Sequence, residues 1–159
     1  MKKNNHIDNE GNVQMVDIAD KKVTKRKAIS SGFINTSKET ITSIKENTNK
    51  KGDVFSVAKI AGIQAAKKTS ELIPLAHPID ISNVKINFEI INKTNQIECV
   101  SEVTSVGKTG VEIESLMATQ ISLLTIYDMC KYLDKAMLIS DIKLIQKTGG
   151  KSGDYKYKK

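Results

Sequence analysis

Residues 52–78 read GDVFSVAKIAGIQAAKKTSELIPLAHP, and this stretch decides how the rest of the chain is arranged. Asp53 is placed to cap a helix whose pattern runs to about Leu72. Ala58, Ala61, Gly62, Ala65 and Ala66 give that helix a face of small residues, over which another backbone can approach closely. Tight packing against a sheet or another subunit is expected. Pro74 and Pro78 close the helix in a stiff turn that holds His77. A small-residue face, flanking lysines and one titratable group in the most rigid turn suit a site that binds an anion and moves protons.

Working outward, Val84, Ile86, Phe88 and Ile90 alternate with Lys85, Asn87 and Glu89, the pattern of a half-buried strand. Asn92–Asn95 makes a turn, and Ile97, Cys99 and Val103 lie on one face of a return strand. Gly107 to Gly110 breaks the pattern. From Val111 to about Leu133 the apolar residues go nearly all round: Leu116, Met117, Ile121, Leu123, Leu124, Ile126 and Met129. A helix of that kind must be buried on all sides, which predicts an oligomer interface in so small a chain. Leu138–Ile145 reads as the last strand, followed by KTGGKSGDYKYKK. Upstream, Lys25–Ile34 reads as a first strand, Ser37 as an N-cap, and Ile41 and Ile44 as one face of a short helix; ENTNKKGD is a polar loop. The order strand, helices, hairpin, helix, strand predicts an α+β ferredoxin-like sandwich, an antiparallel sheet with long helices packed on one face. Residues 1–14 read as a mobile polar tail and 15–159 as a single domain with a basic, glycine-rich C-terminal tail.

The 159 residues allow one core and carry a formal net charge of +7, which favours phosphate-bearing partners. Simple solubility is the plain alternative. No apolar run reaches the length of a membrane span and no signal peptide opens the chain, so a cytoplasmic protein is expected. Cys99 and Cys130 fall in apolar patterns and read as reduced core residues; no metal cluster is expected.

His77, in LAHP, has the ordinary chemistry of a proton shuttle; its plain alternative is a turn histidine bonded to backbone. His6 is given no role. Glu112 and Glu114 open the long helix, where capping is the alternative. Asp128 and Lys131 share a face near its other end. Ile126, Met129 and Cys130 around them suggest little solvent, which would move both pKa values toward neutrality. Glu112 and Asp128 are sixteen residues apart, roughly 24 Å at about 1.5 Å per residue, too far for one small site within one subunit. Either one end alone works, or two subunits bring different ends together. In KTGGKSG, Lys147 and Lys151 supply charge and the glycines free backbone amides, which suits a di- or triphosphate; a frayed basic terminus is the alternative. The segment is not a P-loop, because the required earlier glycine would fall at Ile145 and no helix follows. Lys21, Lys25, Arg26, Lys51 and Lys67 join the basic pool and are individually uninformative.

Together these segments resemble the cyclic pyranopterin monophosphate synthase family, the C protein of molybdenum cofactor biosynthesis. MVDI at Met15–Ile18 resembles the family's opening and KGDVFSVAKIAGIQAAKKTSELIPLAHP its signature helix and turn. KTGVEIESL, LTIYDMCK and KTGGKSGDY resemble its remaining blocks. The resemblance implies a ferredoxin-like hexamer, a trimer of dimers with sites between subunits. It implies a lyase that turns cyclised dihydroguanosine triphosphate, supplied by a radical partner enzyme, into cyclic pyranopterin monophosphate and diphosphate. No cofactor is required, though a divalent ion can travel with the substrate phosphates. By the resemblance, Asp128 is the principal acid/base with Lys131 beside it, and Lys51 is contributed across the interface. Leu75, Ala76, His77, Ile113 and Glu114 hold substrate, Glu112 supports the same pocket, and Lys147 with the glycine tail, Lys151 included, holds phosphates. Ala76 stands where the family usually has cysteine, with smaller departures at Lys59 and Thr148.

An RNA-binding ferredoxin-like module is the competing class. Such modules stack bases on strand aromatics, whereas this chain is 4% aromatic and its hairpin offers only Phe88. Neither nucleic acid nor membrane is expected as a partner.

Overall fold

A computed structural model describes residues 6–8 and 10–158. The first strand, β1, spans Thr24–Asn35, and helices α1 (Lys38–Lys45), α2 (Val54–Lys67) and α3 (Thr69–Leu72) follow. The hairpin is β2 (Ile81–Ile91) and β3 (Gln96–Gly107); α4 is Glu112–Cys130, and β4 (Leu138–Thr148) and β5 (Tyr155–Lys156) end the chain. The strands form one five-stranded sheet in the order β2-β3-β1-β4-β5, with every named pairing antiparallel. Helices after the first and third strands, with β1 and β3 central, make this the expected ferredoxin-like α+β sandwich.

Local signals set the helix starts. Ser37 Oγ accepts the Thr40 amide and Asp53 Oδ1 accepts the Ser56 amide, so each relieves an orphan donor of a first turn. The helix expected to run to Leu72 breaks at Lys68, whose φ of −106° leaves the helical region. Beyond the break, the Thr69 hydroxyl donates back to Ala65 O at 3.1 Å.

The small face of α2 packs against α4 and β2, so its main partner is a helix of the same chain. A Cβ on Gly62 would stand 2.1 Å from Ser122 Oγ and 2.6 Å from Ile86 Cδ1. The Ser122 hydroxyl donates to Ala58 O at 3.1 Å across the same contact. On the sheet side, Ser30 Oγ lies 2.7 Å from Thr119 Oγ1 and donates to Ser115 O at 2.6 Å. The part of α4 that meets α2 and Ser30 is therefore made of small residues, Ser115, Ala118, Thr119 and Ser122. The expectation of burial on all sides fails within one chain, where Ile113 is 41% and Leu124 50% exposed. Close helix approach needs small residues inward, which leaves larger apolar ones outward. Ile34, Ile97, Leu123 and Ile126 fill the core beside this seam; each contributes about 1.5–3 kcal/mol by leaving water.

The last strand runs past Ile145 to Thr148 because β1 pairs with it as far as Lys27↔Thr148. The basic tail does not fray there. It turns and returns as β5, pairing Tyr155 with Lys147. Residues 1–5 and 9 of the expected mobile tail lie outside the described residues. The part described is a closed turn, with Ile7 bridged to Val13 and Asp8 Oδ1 accepting the Glu10 and Asn12 amides. Among the described residues no helix is long and apolar enough to cross a membrane.

Candidate active site

A cleft of about 1210 Å³ opens where the N-terminus of α4 meets the ends of β1 and β4. Leu75, Ala76 and His77 enter it from the proline-bracketed turn, Glu112, Ile113 and Glu114 from the first turn of α4, and Lys147 and Lys151 from the C-terminal segment. Every substrate-holding residue expected from the sequence is thus in one place. His77 Nε2 lies 2.8 Å from Val16 O. A carbonyl only accepts, so Nε2 carries the proton and Nδ1 is left for other chemistry. The plain alternative for this histidine is met as well, since it ties the N-terminal segment down across the cleft. Lys108 fixes that segment a second time by donating to Ala19 O at 2.5 Å.

The N-cap residue of α4, Val111, makes no side-chain cap bond, while Glu112 and Glu114 both stand in the first turn, where the helix dipole favours a carboxylate. Glu112 Oε1 pairs with Lys147 Nζ at 3.0 Å, and Lys147 also donates to Ser152 Oγ at 2.9 Å. Glu114 is only 3% exposed. Burial pushes its carboxyl up to about 7, its own backbone amide opposes this, and the neighbouring Glu112 charge adds to the rise. Such a group holds or releases a proton near neutral pH.

The other cluster is elsewhere. Lys51 Nζ lies 3.0 Å and Lys131 Nζ 2.7 Å from the two carboxylate oxygens of Asp128. Neither Asp128, Lys51 nor Lys131 lines the cleft. The continuous α4, with Glu112 as its first residue and Cys130 as its last, keeps the two groups at the roughly 24 Å implied by about 1.5 Å per residue. The resemblance implies that Lys51 reaches this cluster across the interface; in the structure it already meets Asp128 within one chain. The expected move of Asp128 and Lys131 toward neutrality is corrected. Asp128 is held below the usual carboxylate range by hydrogen bonds from Lys131 and then Lys51, and Lys131 is raised by Asp128. The reason is exposure: Ile126, Met129 and Cys130 turn inward, whereas the Asp128 side chain is 56% exposed.

Sequence reading missed several cleft residues, Lys21 and Lys108 among them. His6, given no role, lines the wall, and Arg26, left in the general basic pool, lies at the floor. Cys99 and Cys130 are buried free thiols, each pushed up to about 11 by burial. Among the described residues no group of three or more His, Cys, Asp or Glu side chains could hold a metal ion.

The sequence profile of the MoaC family matches residues 15–150. The chain belongs to the MoaC family. Relatives are close over nearly the whole length. A protein of Clostridium botulinum is 57% identical over 95% of both chains. One of Clostridium acetobutylicum is 51% identical over 94% of this chain and 93% of its own, and one of Clostridium perfringens 49% identical over 96% of each. All three are called cyclic pyranopterin monophosphate synthase. For this MoaC chain the RNA-binding alternative gains no support. Phe88, the one hairpin aromatic, is stacked on Phe55 with ring centroids 4.8 Å apart and offers no platform for a base.

Proposed function

We propose that this chain is the lyase that makes cyclic pyranopterin monophosphate from 3',8-cyclo-7,8-dihydro-GTP with release of diphosphate, an early step of molybdenum cofactor biosynthesis. The observation that carries it is the split site, a cleft with an acid–base pair and basic rim at one end of α4 and a lysine–aspartate–lysine cluster at the other, on a chain of the MoaC family.

In this reading Asp128 is ionised at neutral pH and acts as the principal base, with the Lys51 and Lys131 ammonium groups as its acid partners. At the other half-site Glu114 and His77 hold protons, and Leu75, Ala76 and Ile113 bound the heterocycle. Glu112 positions Lys147, which with Lys151 and the glycine tail receives phosphate oxygens. No resident cofactor or metal takes part; a divalent ion would come with the substrate phosphates, as such ions often do.

Two copies are needed to join the half-sites. Val57 and Ile60 on α2, 42% and 59% exposed, share the outer helical layer with the exposed Ile113 and Leu124 of α4, an apolar face suited to another copy. We infer a homo-oligomer, a hexamer built as a trimer of dimers, working in the cytoplasm and fed by a radical enzyme that makes the cyclised nucleotide. The test is to incubate purified protein with that nucleotide and assay pterin and diphosphate together. Neither product appearing would refute the assignment.

A further inference from the structure

From Lys45 to Asp53 every residue but Asn49 is exposed, and Asn49 is 6% exposed. A buried amide is unfavourable unless both of its halves are bonded. Here both are. Asn49 Oδ1 accepts the Lys51 amide at 2.8 Å, and Nδ2 donates to Met129 O at 3.3 Å and lies 3.5 Å from Cys130 Sγ. The orientation of the amide is forced, because a backbone N–H only donates and a carbonyl only accepts.

An α-helix leaves its last four carbonyls without a partner inside the helix. In α4 these belong to Tyr127, Asp128, Met129 and Cys130. The Lys131 amide reaches Tyr127 O at 2.8 Å, and the Leu133 and Asp134 amides reach Cys130 O at 2.8 and 3.2 Å. The two between are taken by the loop before α2: Asp128 O by Lys51 Nζ at 2.8 Å and Met129 O by Asn49. Ion pairing alone would not fix that loop. The Lys51 and Asp128 side chains are 39% and 56% exposed, and a pair so open to solvent is weak against the rotamer freedom of a lysine. The buried amide of Asn49 fixes it instead. Lys50 helps, since its amide donates to Tyr132 Oη at 3.2 Å and its ammonium lies 3.9 Å from the centre of that ring. Gly52 then closes the turn, its amide donating to Asn49 O at 3.0 Å.

We propose that Asn49 is a positioning residue for the Lys51–Asp128 pair: its amide pins the Lys51 backbone onto the last turn of α4, so that the ammonium stands on the carboxylate before substrate arrives. The proposal rests on the roles inferred above for Lys51 and Asp128. Asn49 itself does not line the cleft and acts only through Lys51.

The test reads steady-state rates in the full-length oligomer, with assembly checked by light scattering. Asn49→Ala should lower kcat about 10–10²-fold, the range open to a misplacement of about 1 Å. The acid limb of its kcat–pH profile should move to higher pH, as in Lys51→Ala, because Lys131 alone then holds the carboxylate down. Asn49→Ala combined with Lys51→Ala should be no slower than Lys51→Ala alone, within about twofold. A residue that only steadied α4 would lower the melting temperature and leave the acid limb in place. In case Asn49→Ala does not assemble, Asn49→Ser decides by the same readouts, since its hydroxyl keeps the turn bond to the Lys51 amide and falls short of Met129 O. A further readout needs no turnover. Reductive methylation by formaldehyde and cyanoborohydride, followed by peptide mass spectrometry, should label Lys51 about two- to fivefold faster in either variant, the span of an exposed ion pair, while Lys59 keeps its wild-type rate. An unchanged kcat, an unmoved acid limb, losses that multiply in the double variant, or unchanged labelling of Lys51 would each overturn the positioning role and leave the synthase reading standing. In a protein without synthase activity the labelling decides: faster labelling of Lys51 would sustain the positioning and remove the proposed function, and unchanged labelling would remove both.

Discussion

The Lys51 ammonium holds Asp128 twice, through carboxylate Oδ2 at 3.0 Å and through the backbone carbonyl at 2.8 Å. The loop before α2 is thereby locked to the last turn of α4, and the carboxylate is kept ionised between two cations. Asp128→Asn keeps the shape and removes the proton acceptor. The fold should survive, and turnover should fall by about 10²–10⁴-fold, the usual range for a general acid–base group. Steady-state assays giving a rate within about threefold of wild type would contradict the role.

Subunit mixing follows from the split site. Asp128→Asn and Glu114→Gln should each be nearly inactive, because each damages a different half-site. Denatured together and reassembled at equal amounts, they should regain about a quarter of wild-type activity if two-fold pairs form at random. In half of the pairs, one of the two composite sites then has both intact halves. No recovery in a mixture that reassembles fully would mean that sites are not shared.

Stability should fall with pH through the titration of Glu114. Its folded-state value is raised from 4.5 to about 7. Below 4.5 both states are protonated and nothing is lost. Between 4.5 and 7 the unfolded chain releases the proton and the folded chain keeps it, so unfolding gains. Above 7 the loss is complete, at about 3 kcal/mol. Glu114→Gln should abolish this slope and melt higher than wild type at pH 8. Parallel melting-temperature profiles for the two proteins would exclude Glu114 as the source.

Gly62→Ala tests the helix seam. The added methyl meets Ser122 Oγ at 2.1 Å and Ala118 O at 2.8 Å, and the latter is backbone that cannot rotate away. Overpacking of this kind costs about 1–3 kcal/mol despite the better helix propensity of alanine. Denaturant unfolding should show that loss; an unchanged or higher midpoint would mean that α2 and α4 are not so closely packed.

Thiol chemistry should be irrelevant to turnover. Cys99 and Cys130 are buried with thiols raised to about 11, so an alkylator should leave the native enzyme's rate intact. Ala76→Cys should change the rate by less than about tenfold, or about 1.4 kcal/mol of barrier. Complete loss of activity on alkylation with the oligomer intact would overturn this.

The sequence by itself determined the elements, because the signals are local. Side-chain oxygens at Ser37 and Asp53 cap the next few amides, alternation along Val84–Ile90 makes a strand, and Pro74 and Pro78 stiffen the turn around His77. The roughly 24 Å between Glu112 and Asp128 was equally legible, since helical rise is fixed. Tertiary structure decided what depends on partners remote in sequence. Pairing with β1 carried β4 on to Thr148. The approach of α2 and Ser30 turned Ser115, Ala118, Thr119 and Ser122 inward and left Leu124 and Asp128 outside, so the acid ionises more readily than its apolar neighbours suggested. The return of the tail over β1 placed Gly150 against Arg26. Charge alone cannot distinguish one basic residue from another; the partners each one meets do, and those exist only once the chain has closed.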